Sequence, residues 1–142
     1  MNYDLSKFIK AQEFNYSTAL KEITTGQKSS HWIWYIFPQL KALGQSPNAQ
    51  YYGIENLEEA RAYLSNKILG ARLVEISQAL LELPNGDIEF IMGSKIDAVK
   101  LRSCMTLFIL ADPNCEVFQK VLDKYFGGNR DEKTVSLCAK IA

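Results

Sequence analysis

A single histidine and three cysteines are all the imidazole and thiol ligands this chain carries, and that scarcity removes most metal chemistry from it. Cys104, Cys115 and Cys138 stand far from one another and from His31, so no C-x-x-C or H-E-x-x-H ligand set exists. An odd number of widely spaced thiols also predicts reduced cysteines serving as small apolar fillers, not a disulfide framework. The basic surplus that nucleic-acid binders use to displace counterions is missing: 16 Lys and Arg balance 16 Asp and Glu. Phosphate loops are absent, since no G-x-G-x-x-G occurs and Gly127-Gly128-Asn129 is too short for a Walker loop. The longest apolar stretch, Cys104 to Ala111, is interrupted by Thr106 and falls well short of the roughly 18 residues of a membrane span. Met1 to Lys7 lacks the basic-then-apolar order of a secretory leader. These absences predict an intracellular, cytoplasmic protein with no metal, no cofactor, no nucleic-acid partner and no membrane partner.

Strand-like alternation is nearly absent as well, and what remains reads as helices from end to end. The 142 residues fit one domain, with 47% apolar and 23% charged residues as in an ordinary soluble globule. Asp4 is placed to cap a first helix carrying Leu5, Phe8 and Ile9, and a second helical stretch spans 16–25, ended by Gly26. Ser29 or Ser30 is placed to cap an aromatic helix that Gly44 closes, with a kink or break expected near Phe37 because Pro38 lies inside it. Ser46-Pro47 opens a short helix, and Asn56 with Glu59 forms a capping-box variant for a helix reaching Ser65. A helix over 68–83 follows with Gly70 as its weak point, then a turn at Pro84-Asn85-Gly86 and a brief helix from Asp87 to Met92. Asp97 is expected to begin a helix apolar nearly all round, the pattern of an element enclosed by others. Asn114 is expected to cap the next helix, Gly127-Gly128 to end it, and Asp131 to cap the last. The prediction is one all-α domain over residues 1–142, with roughly six to nine helices and one of them buried in the middle.

Two segments concentrate the chemistry. Ser30 to Leu40 contains the only histidine, both tryptophans and the Pro38-Gln39 pair. Such aromatic density points to a shaped ligand wall or to a packing hub. His31 would sit in a first helical turn beside free backbone amides, with Lys28 adding positive charge nearby. The second segment is the central helix, where Asp97, Lys100 and Ser103 recur at three-residue spacing and share a face. An acid and a cation there read either as an anion clamp or acid–base pair at a pocket mouth, or as a cap paired with a snorkelling lysine. Arg102 and Thr106 lie on another face, suited to a second contact. A Cys104–His31 nucleophile pair is a weaker reading, because a thiol in the apolar middle of a helix is normally inert. Tyr51-Tyr52-Gly53 would form a pocket rim.

Several long strings resemble one family. They include Ser30-His31-Trp32-Ile33-Trp34-Tyr35-Ile36-Phe37-Pro38-Gln39-Leu40, then Leu43-Gly44-Gln45-Ser46, Tyr52-Gly53-Ile54 and Glu59-Ala60-Arg61-Ala62-Tyr63-Leu64. Leu69-Gly70-Ala71-Arg72-Leu73, Asp97 to Phe108 and Val121 to Gly128 complete the series. On these strings the chain resembles, from about Leu5 to Leu137, the domain of unknown function 1810 family of small bacterial proteins. The resemblance implies a compact all-α fold around one enclosed helix. It brings no established activity. The calpastatin label sometimes attached to the family implies a disordered, repeated protease inhibitor, which a compact, repeat-free chain does not match. A weaker resemblance links Asp97-x-x-Lys100…Met105…Phe108 and the helix ending near Leu122 and Gly127 to the C-terminal half of the NADAR group. Those proteins are all-α glycosidases acting on ADP-ribose derivatives and riboflavin intermediates. Their glutamate-containing helix motif has no counterpart here, so no catalytic residue carries over.

Two functional expectations follow. In the first, the chain binds a nucleotide-like or ADP-ribose-like small molecule, with cleavage of an N-glycosidic bond as the attached chemistry. Asp97, Lys100 and His31 would then be the catalytic candidates, and Trp32, Trp34, Gln39, Tyr52, Arg61 and Ser103 the ligand-binding ones. In the second, the chain is a non-enzymatic structural or interaction module, monomeric or a small homo-oligomer, with the aromatic segment as core or dimer face.

Overall fold

Asp4 Oδ1 accepts the Ser6 amide at 3.0 Å, and from there a single helix, α1 (Ser6–Thr25), runs unbroken for 20 residues. This corrects the expectation of two helices. The sequence pattern is interrupted by Gln12, but Gln12 is buried on the same stripe as Phe8, Tyr16, Ala19 and Ile23. Its amide donates to the Tyr35 carbonyl at 2.7 Å and lies 3.0 Å from the Tyr63 hydroxyl, so a polar residue occupies a core position at no unpaired cost. Gly26 ends the helix in the left-handed conformation, with φ of 91°. The computed structural model describes residues 3–84 and 86–141, and the statements below refer to those.

The aromatic segment forms only one turn, α2 (Ile33–Ile36). Pro38 excludes helical geometry at Phe37, whose φ of −124° and ψ of 71° end the turn at the expected break. A 3₁₀ turn, Lys41–Leu43, follows and is closed by Gly44. An isolated parallel bridge then joins the chain to itself, with the Lys41 amide on the Ile54 carbonyl and the Ile54 amide on the Gln39 carbonyl, both at 2.9 Å. Gly53 makes that approach possible: a Cβ on it would lie 2.3 Å from Lys41 Cα.

Helix α3 (Pro47–Tyr51) starts on Ser46, whose hydroxyl accepts the Ala49 amide at 3.1 Å. Helix α4 (Leu57–Ser65) is capped by Asn56 on the Glu59 amide at 2.9 Å, while Glu59 reaches back to the Glu55 amide rather than to Asn56. Helix α5 (Lys67–Glu82) follows at once under an Asn66 cap. Its Gly70 is a packing requirement rather than a weak point, because a Cβ there would meet the Leu64 carbonyl oxygen at 2.1 Å. The expected turn over 84–86 includes Asn85, which lies outside the described residues. Helix α6 (Ile88–Met92) is capped by Asp87 as expected.

Helix α7 (Lys95–Ala111) begins two residues earlier than Asp97, with Ser94 as its cap: the Ser94 hydroxyl accepts the Asp97 amide at 3.0 Å. Asp97 is therefore in the first turn and its carboxylate is free for other work. Helix α8 (Glu116–Tyr125) has no side-chain cap; Asn114 instead donates its own amide to Asp112. Helix α9 (Glu132–Ile141) is capped by Asp131, which accepts the Thr134 amide at 3.0 Å. The described residues thus form nine α-helices and no strand. Helix α7 is the enclosed one, packed against α2, α4, α6, α8 and α9, with Leu101, Cys104, Met105, Leu107 and Phe108 fully buried. The last turns of neighbouring helices are pinned by cations. Lys124 donates to the Leu81 carbonyl at 3.0 Å and to the Leu83 carbonyl, and Arg61 Nε donates to the Ala111 carbonyl at 3.1 Å. No described helix is long and apolar enough to cross a membrane.

Candidate functional site

The segment between α1 and α2 is organised by Glu22, a residue the sequence pattern does not single out. Its Oε1 accepts the Ser29 amide at 2.8 Å, the Ser30 amide at 3.0 Å and the Trp32 indole N–H at 2.9 Å, and its Oε2 accepts the Ser30 hydroxyl at 2.5 Å. Burial raises the Glu22 carboxyl, but these four donors outweigh it and hold the group down at about 2, from an ordinary 4.5. Ser30 is consequently not the cap of α2. That position falls to Trp32, with no side-chain bond. The only local signal for Glu22 is its place one turn before the Gly26 stop.

Lys28 and Asp97 meet across this segment. Their Nζ and Oδ2 atoms are 2.9 Å apart, with the two side chains only 7% and 17% exposed. The same ammonium donates to the Ser30 carbonyl at 2.6 Å and lies 5.0 Å from the centre of a Trp32 ring. Asp97 therefore pairs with Lys28 rather than with Lys100. Both line a polar recess of about 300 Å³ together with exposed His31, Ser94 and Gly93. Trp32 itself is 1% exposed, closed in by Lys28 and Phe37, and has no face left to stack on a ligand.

A second, larger concavity of about 420 Å³ lies along the next strip of α7. Ile96, Val99, Lys100 and Ser103 recur at helical spacing and form its floor, so Lys100 and Ser103 share a face as the pattern implies, while Asp97 turns away to Lys28. Gln39, Leu43, Lys95 and Lys133 supply the walls. Lys95, Lys100 and Lys133 form no ion pair with any described residue. Lys100 leans over the Trp34 indole, 5.5 Å from a ring centre. Ser103 Oγ is 3.2 Å from both the Val99 carbonyl and Asp131 Oδ2, and with one proton it donates to one at a time.

Asp131 is not a free acid at the groove edge. Besides Ser103 it accepts the amide and hydroxyl of Thr134, while its own amide donates to Thr106 at 2.9 Å. Arg102 donates to the Asn129 carbonyl at 3.0 Å and the Arg130 carbonyl at 2.9 Å. The polar residues of α7 that break its apolar pattern thus dock the 129–131 segment and bring Lys133 to the groove. Lys133 and Asp131 carry no sequence signal for this site because their role depends on that docking, whereas Lys95 stands on α7 itself, one turn before Val99.

Behind the groove, Trp34, Gln39, Tyr52 and Lys100 close around a void with room for the centre of about one water-sized atom, close to 10 Å³, completed by Ile33, Phe37, Ala49 and Gly53. Tyr52 packs against Phe8, Tyr35 and Tyr51, which fixes it as a wall of this void. Trp34 Nε1 is buried and has no hydrogen-bond partner among the described residues. Arg61 belongs elsewhere: it binds the last residue of α7, and the helix rise of about 1.5 Å per residue puts that end roughly 20 Å from Asp97.

Of the nucleophile pair, Cys104 is fully buried, and burial pushes its thiol well above the ordinary range, whereas His31 is exposed. Cys104 is packing. Among the described residues no three His, Cys, Asp or Glu side chains gather at metal-binding spacing.

A family model described as "Protein of unknown function (DUF1810)" matches residues 2–138. The chain is also similar to the crystal structure of the conserved hypothetical protein Rv1873 from Mycobacterium tuberculosis. The two are 44% identical, with a TM-score of 0.93 and coverage of 96% of this chain and 97% of that one. No curated protein matches the sequence. A likeness to the NADAR group is not shown by these comparisons.

Proposed function

The chain belongs to the DUF1810 family, and from that premise we propose that the groove along α7 binds a small anionic molecule of nucleotide-like size, of which ADP-ribose derivatives are one class. One observation carries the reading: Lys95, Lys100 and Lys133, none of them in an ion pair with a described residue, line one concavity together with the apolar Ile96 and Val99. A volume of about 420 Å³ matches the size range of small-molecule sites, and apolar floor with cationic rim matches a molecule that is flat at one end and charged at the other. Solvated lysines are common on any surface, but three around one concavity raise the local potential for an anion.

The proposal is one of binding. N-glycosidic cleavage would need a free carboxylate beside the ribosyl carbon. Asp97 is held by Lys28 in the neighbouring recess, and Asp131 is occupied by Ser103 and Thr134.

Calorimetry and thermal shift with ADP-ribose, NAD and flavin precursors test it, with product release followed in parallel. Saturable binding that weakens about tenfold in Lys133→Ala, without loss of melting temperature, is the expected result. No heat and no shift at millimolar ligand would sink the proposal, and release of base or sugar would add catalysis to it.

A second reading, an interaction module, is favoured by Ile96 and Val99 being 68% and 51% exposed. Self-association that disappears in Ile96→Lys, measured by sedimentation, would support that reading over the first.

A further inference from the structure

The two tryptophans of the aromatic segment are treated in opposite ways. The Trp32 indole N–H is given a carboxylate, Glu22, at 2.9 Å. The Trp34 indole N–H, two residues on, is closed off from solvent and has no acceptor among the described residues. Buried donors are satisfied in native structures with few exceptions, so an unpaired one calls for an atom the polypeptide does not supply.

The void that Trp34 lines has the right composition to hold that atom. The residues with polar side chains that line it are Trp34, Lys100, Gln39 and Tyr52, beside the backbone of Ala49 and Gly53, and no carboxylate-bearing residue lines it. Trp34 and Lys100 offer only donors, while Gln39 and Tyr52 are able to donate as well. An unpaired indole N–H and a lysine on the wall of a chamber lined by no carboxylate favour an oxygen bearing negative charge. Its room for about one water-sized atom admits a single oxygen and excludes a methyl-bearing group beside it. Gln39 and Lys100 also line the larger groove, so the chamber and the groove share a wall.

We propose that this chamber is an oxygen-anchoring subsite, in which one oxygen of a carboxylate or phosphoryl group accepts from the Trp34 indole N–H and from Lys100. As part of a ligand site it rests on the groove reading above, since the remainder of the molecule would lie among Ile96, Val99 and Lys133.

Indole-¹⁵N-labelled protein provides the test, because its two tryptophan side-chain resonances are assigned by the loss of one in Trp34→Phe. The protein is titrated with formate and with inorganic phosphate at constant ionic strength, with methylammonium chloride as the cationic control. The Trp34 resonance is expected to move saturably with either anion while Trp32 stays fixed, and Lys100→Met is expected to weaken the response about tenfold. A Trp34 resonance that ignores both anions, the mark of a resident water only, overturns the subsite. So does one that moves in step with Trp32 or with methylammonium. The groove reading fails separately. Loss of nucleotide binding in the calorimeter with the formate response intact sinks the groove alone, and retained nucleotide binding with a silent Trp34 sinks the subsite alone.

Discussion

The Lys28 ammonium stands 2.9 Å from the Asp97 carboxylate, joining the loop after α1 to the first turn of α7 through a largely buried ion pair. The pair decides how the candidate surface divides. It withdraws Asp97 from the α7 groove and leaves Lys100 as that groove's central cation.

Removing one member strands the other. Asp97→Asn is expected to cost about 1–3 kcal/mol, below the full penalty of a completely buried pair because Asp97 keeps some contact with water. Lys28→Met should cost a similar amount, and the double variant less than the sum. Urea unfolding of the four proteins measures the coupling, and additive losses would show that the pair contributes nothing of its own.

Glu22 sets an acid limit on the same loop. Its folded-state carboxyl, held at about 2, lies below its ordinary 4.5. Its contribution is therefore complete above about pH 4.5 and is lost as pH falls toward 2. Denaturant midpoints taken down through that window should fall for the wild type and fall less steeply for Glu22→Gln, which has no carboxylate to protonate. Equal slopes would place the acid sensitivity elsewhere.

Gly70→Ala is expected to reverse the usual sign of that substitution. In an open helix the change gains up to about 1 kcal/mol. Here the new Cβ would lie 2.1 Å from the Leu64 carbonyl oxygen, a backbone atom that cannot swing aside, and α4 and α5 would be forced apart. A loss of at least about 2 kcal/mol should be seen by thermal or urea unfolding.

Lys124→Met should loosen the end of α5. The ammonium serves the Leu81 and Leu83 carbonyls, while the Tyr125 hydroxyl keeps the Leu80 carbonyl at 2.6 Å. A loss of about 1–3 kcal/mol is expected, with faster amide exchange confined first to the α5–α6 connection. Unchanged exchange there would show that Tyr125 holds the end alone.

Much of this architecture is legible in the amino-acid sequence because it is written in local chemistry. Ser46, Asn56 and Asp87 cap the helices they precede, Gly26 and Gly127-Gly128 stop theirs, and Pro38 breaks the aromatic segment at Phe37. Each depends on a few neighbouring residues. The enclosed α7 is readable for a similar reason, since a helix apolar on every side has to be surrounded. The pattern misleads where a polar side chain has a distant partner. Gln12 makes α1 look like two helices because Tyr35 and Tyr63, which satisfy it, are remote in sequence. Ser30 looks like a cap because Glu22, which takes its hydroxyl, lies on the preceding helix.

What the sequence determined by itself is the all-α class, most helix ends, and the two segments where unusual chemistry is concentrated. Only the tertiary structure decided which of those groups meet: Asp97 with Lys28, Lys100 with Trp34, Trp32 with Glu22, and Arg61 at the far end of α7. The physical reason is range. Caps and periodicity act within a turn or two of helix, whereas a charge or a buried N–H takes whatever partner the packed helices bring to it.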